Sequence, residues 1–174
     1  MRAWLKRYGR GTFRSWDFYV AIVCGVAAYF ICGSKAVRTA AVPVLMGQAA
    51  IGVGLLAVVF GAIAVFATFY DPSYRRVLDL AGGFRSALMP YITVAVISAL
   101  AGAAGIIGAL ALPALGVFPT QLVCAASTFL FVWSVAGMVS ITELTLFHAS
   151  RRAELMGGAD EAETIRAKRL RSRT

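Results

Sequence analysis

Long uncharged runs divide the chain. The 17 residues between Asp17 and Lys35 carry no charge, nor do the 32 between Arg38 and Asp71 or the 57 between Arg85 and Glu143. A helix crossing the hydrocarbon core of a bilayer needs about 20 apolar residues. The first run holds one short helix and the second holds one long helix. The third exceeds one helix and is divided by Pro113, Gly116 and Pro119. The pattern predicts four spans, at about 17–34, 41–70, 90–112 and 121–146. A bilayer interior offers no water to backbone groups, so helices suit such runs, and the ten-residue alternating strands of a barrel are absent. The expected fold is an all-α integral membrane protein, with four transmembrane helices in a bundle and a short cytoplasmic interfacial helix.

Within span two the small residues follow a register of their own. Gly47, Ala50, Gly54, Ala57, Gly61, Ala64 and Thr68 are spaced 3, 4, 3, 4, 3, 4. A 3.5-residue period implies left-handed helix packing, and absent side chains let backbones approach closely. Span three repeats the theme with Ala95, Ser98, Gly102, Gly105 and Ala109, and its other face carries Ala101, Ala104, Gly108 and Ala111. These positions are expected to form helix-packing seams. They pack either the helices of one chain or one chain against another.

The remaining segments are polar or aromatic. Residues 1–16 place Trp4, Leu5 and Tyr8 among Arg2, Lys6 and Arg7, as an interfacial anchor does. The loop 71–89 opens on Asp71-Pro72-Ser73, a helix start, and Gly82-Gly83 ends that helix. The tail, 150–174, has a second start at Gly157-Gly158-Ala159-Asp160, with acids early and bases late. It lacks an apolar face large enough to pack alone and reads as a loose tail, with a partner-binding element as the alternative. The chain therefore divides into a basic and aromatic segment 1–16, a transmembrane domain 17–149 and a charged tail 150–174.

Composition adds two constraints. Hydrophobic residues make up 60% of the chain and charged residues 14%, too few to cover a soluble surface. Disorder is excluded by the same hydrophobicity. The formal charge is +9, and 15 of the 17 basic residues fall in the N-terminal segment, the middle loop and the tail. Only Lys35 and Arg38 fall in the first loop. That bias places both termini in the cytoplasm, and an even number of spans agrees. The basic charge is thus a topology signal, and no nucleic-acid partner is expected. A cleaved signal peptide over 1–41 is disfavoured by Lys35 and Arg38 after the apolar core, so the first span reads as a signal anchor. Frequent Ala, Gly and Arg with few Lys suggest a bacterial plasma (inner) membrane.

Chemistry-bearing residues are sparse. Gln48 lies inside span two beside the seam, as a helix bridge or part of a polar path with Ser134, Ser140 and Glu143. Glu143 and Asp17 fall at the cytoplasmic interface, where salt bridges are the default. Cys32 and Cys124 should sit at similar depth near the outer face, as candidates for a disulfide. A single histidine, His148, excludes bis-histidine haem and a multi-histidine metal site. No nucleophile has an evident base, so neither an enzyme nor a cofactor is expected. The expected partners are the lipid bilayer and either a second copy or another membrane subunit. The function expected is a homo-oligomeric pore or channel-like complex. An accessory or anchor subunit of a larger membrane complex is the alternative, and a small transporter comes third.

Overall fold

A computed structural model describes residues 16–68 and 83–171 of the 174. These residues form four helices: α1 (Trp16–Ile31), α2 (Lys35–Thr68), α3 (Phe84–Ala111) and α4 (Val117–Arg171). No strand occurs among them. The interfacial helix expected after Asp71 and, apart from Trp16, the anchor expected over residues 1–16 lie outside the described residues.

Local chemistry accounts for the helix boundaries. Ser34 starts α2: its hydroxyl oxygen accepts a bond from the Val37 amide at 3.4 Å, and its carbonyl accepts one from Arg38. Such a cap satisfies amides that the first helical turn cannot pair internally. Gly83 precedes α3 at φ +83°, a conformation open mainly to glycine. Between α3 and α4 the chain tightens into a 3-10 turn, Leu112–Ala114, and Pro113 sits within it. Pro119 falls in the first turn of α4, where its missing amide has no internal partner to lose.

Three of the helices contain stretches long and apolar enough to cross a membrane: Val37–Thr68, Ala87–Ala114 and Val117–Glu154. The fourth, α1, has 16 residues, or about 24 Å at 1.5 Å per residue. That falls short of a bilayer core of ~30 Å. A second difference from expectation lies in the tail. Gly157-Gly158 starts no separate segment, because α4 continues unbroken from Val117 to Arg171. Each glycine costs a helix only about 1 kcal/mol, and the neighbouring Ala, Glu, Leu and Arg are strong helix formers. An Arg151–Glu154 bridge of 3.1 Å, one turn apart on the same face, adds local support.

The helices alternate in direction. Helix α4 touches all three others, and α2, α3 and α4 form a mutually packed core. Helix α1 docks on α4 and scarcely meets α2 or α3 along its length. Two apolar clusters mark the ends of the core. Cys32, Ala41, Leu45, Ala109, Leu112 and Cys124 form one, and Val59, Tyr91, Val94 and Ile141 form the other.

Candidate functional site

Helix α2 has two opposed small or apolar faces. Leu45, Gly52, Val59 and Phe66 recur every seven residues, and all are buried. Gly47, Gly54, Gly61 and Thr68 recur every seven residues two positions later, and all are exposed. Two positions correspond to about 200° around a helix, so the two rows lie on opposite sides. All seven positions of the span-two seam, with Ala50, Ala57 and Ala64, point away from the rest of the chain. A Cβ placed on Gly47, Gly54 or Gly61 would meet nothing within 4 Å.

The α3 seam is turned the other way. Ser98, Gly102, Gly105 and Ala109 are buried, and Ala95 is half-buried. A Cβ on Gly105 would stand 2.8 Å from the Leu45 carbonyl oxygen and 2.9 Å from the Ala49 Cβ. One on Gly52 would stand 3.0 Å from the Gly102 amide nitrogen. The close crossing of α2 and α3 therefore uses Ala49 and Gly52, neither of which belongs to the span-two seam. The outer face of α3 instead exposes bulky residues, including Val96, Leu100, Ile107 and Leu110.

Hydroxyl and amide side chains tie the interior together. The Ser127 hydroxyl donates to Gln48 Oε1 at 3.0 Å, and Gln48 Nε2 donates to Thr128 at 3.2 Å. The Gln48 amide thus bridges α2 and α4. Ser98 and Ser134 share a hydrogen bond of 2.5 Å between α3 and α4, and both are fully buried. Tyr91 and Thr145 share one of 2.7 Å between the same helices. Ser140 donates to Asp17 Oδ2 at 2.8 Å, joining α4 to α1. Glu143 is exposed. Gln48, Ser134 and Ser140 therefore each take part in a separate interhelical link.

Cys32 and Cys124 are buried in one apolar cluster, both as free thiols. Cys24, eight residues before Cys32, is half-buried and free. No group of three or more metal-ligating side chains occurs among the described residues.

Asp17 is the functional candidate that charge spacing alone placed at an interface and no further. It sits in the first turn of α1 yet is only 6% exposed. Its Oδ1 is buried without a hydrogen-bond partner. The signal available in the sequence was its position: it is the one acid immediately heading an apolar run.

No family model, curated protein or solved structure matches the chain.

Proposed function

We propose that this chain is a multi-pass membrane protein that self-associates through the outward seam of α2 into a homo-oligomeric, channel-like complex. The exposed surface is apolar: Leu110, Phe30, Val23 and Ile107 are each at least 66% exposed. Lipid is the solvent that such residues suit. The observation that carries self-association is the seam itself, seven small positions in heptad register with open space above every glycine. Lipid tails give no hydrophobic drive between helices, so membrane helices associate where small residues allow backbones to meet. The single-chain bundle leaves this row unused. The hydroxyls and the Gln48 amide between α2, α3 and α4 are engaged in bonds within the chain, so a conduction path would lie between copies and be lined by Gly, Ala and Thr68. Such a lining is weakly selective and suited to gating by dewetting.

The test is the mass of the intact assembly, measured by native mass spectrometry from native membranes, followed by dye flux from liposomes. A defined homo-oligomer that conducts, and loses both properties in Gly54→Leu/Gly61→Leu, supports the reading. A different chain at fixed ratio overturns it and makes this an accessory subunit, since the same row would then serve a partner.

A further inference from the structure

A cavity of about 290 Å³ lies where α1, α3 and α4 meet. Its walls are mostly apolar, from Val94 and Ile97 on α3 and Trp133, Ile141 and Leu144 on α4. One acid, Asp17, contributes to its lining. Burying a carboxylate is costly unless each oxygen finds a donor or a cation. Ser140 serves Oδ2, while Oδ1 has no partner. The first turn of α1 offsets part of the cost through the helix dipole, but supplies no bond to Oδ1. No ion pair to Asp17 forms among the described residues.

We propose that this cavity binds an amphiphilic cation, an ammonium group on a short apolar body, with the Asp17 carboxylate as its counter-ion. An ammonium supplies both charge and donors, the two things Oδ1 lacks. The apolar walls take the body of the ligand, and the indole of Trp133 attracts a cation lying within about 6 Å of its face. At ~30 Å³ per heavy atom the cavity holds about ten such atoms, the size of an eight-carbon amine. An anion is excluded by Asp17, and a neutral alcohol leaves the carboxylate without its counter-charge. The cavity is partly open rather than enclosed. The ammonium can therefore arrive on a free amine or on the headgroup of an aminophospholipid. The proposal is independent of self-association through α2.

The experiment uses the full chain with Trp4→Phe and Trp16→Phe, which leaves Trp133 as the sole tryptophan. Octylammonium is titrated against octanol in nanodiscs of phosphatidylglycerol, reading Trp133 emission. A saturable response to octylammonium alone is expected, with Asp17→Asn raising the half-saturating concentration at least tenfold. Thr93→Phe fills the cavity without touching the carboxylate and is expected to abolish the response. This second variant decides the matter if Asp17→Asn fails to fold. Repeating the titration with phosphatidylethanolamine present separates the sources. A competitive shift identifies the lipid headgroup as the occupant, and an unchanged curve identifies a free amine; either supports the site. Equal responses to octylammonium and octanol, or an unaltered response in Asp17→Asn or Thr93→Phe, overturn it.

Discussion

Gly105 of α3 faces Leu45 of α2 across a close helix crossing, where a Cβ would lie 2.8 Å from the Leu45 carbonyl oxygen. That neighbour is backbone and cannot swing aside. Gly105→Ala is therefore expected to force the two helices apart and to destabilise the fold by about 1–3 kcal/mol, the usual range for overpacking. A denaturing-detergent titration followed by circular dichroism measures it. Gly54→Ala is the internal control: nothing lies within 4 Å of the added methyl. Gly54→Ala is expected to leave the stability of the dissociated chain unchanged or slightly raised, since alanine favours helix over glycine. Equal losses in the two variants would contradict the assignment of inner and outer faces.

Gln48 supplies the second prediction. Its amide both accepts from Ser127 and donates to Thr128. Gln48→Leu removes both bonds while keeping similar bulk. Interhelical hydrogen bonds in membranes are worth roughly 0.6 kcal/mol on average and up to ~1.7. A loss of about 1–2 kcal/mol is expected in the same titration, with a double-mutant cycle against Ser127→Ala showing coupling. Additive effects would mean that the bridge contributes nothing.

Much of this architecture can be read from charge spacing. Gaps between charged residues locate the long apolar helices, and Pro113, Gly116 and Pro119 locate the turn between α3 and α4. The inner face of α2 is harder to find. In an aqueous protein the polar side of a helix marks the outside, but α2 is apolar all round. Its row of Leu45, Gly52, Val59 and Phe66 and its row of Gly47, Gly54, Gly61 and Thr68 have the same period, and local sequence does not rank them. What ranks them is α3, whose Gly102 and Gly105 require a partner with matching shape. Pairings such as Asp17 with Ser140, 123 residues apart, likewise leave no local trace. The end of α4 is a different case: a Gly-Gly pair marks a break only when its neighbours are weak helix formers.

Cys32 and Cys124 yield a redox prediction. The two thiols are buried together, and α1 is otherwise held by packing on a single helix. Copper phenanthroline, acting as a two-electron oxidant, should convert the pair to a disulfide with loss of two protons. Non-reducing peptide mapping is expected to join the turn after α1 to α4 through these residues, with Cys24 still open to maleimide. Closing so long a loop should stabilise the chain by about 2–4 kcal/mol. A cross-link through Cys24 instead would show that α1 sits in a different register on α4.

Helix α1 should also be separable from the rest. Phe18 contacts both Phe129 and Trp133 edge-on, with ring centroids 5.7 Å and 5.3 Å apart. Farther along, a Cβ on Gly25 would already press on Phe129 at 3.1 Å. Phe129 therefore braces α1 at two points, while α2 and α3 hold each other through Gly52, Gly102 and Gly105. Phe129→Ala removes the ring that meets Phe18, keeps the Cβ beside Gly25 and leaves the α2–α3 crossing intact. Local opening follows local contacts, so amide exchange should rise across Trp16–Ile31 and stay slow across Ala49–Phe66 and Val94–Ala109. Hydrogen-exchange mass spectrometry in nanodiscs reads both regions at once. A uniform rise over all four helices would mean that α1 belongs to the same cooperative unit as the core. A rise confined to α1 would make it a docked element, consistent with a helix of 16 residues that relies on α4 for its place.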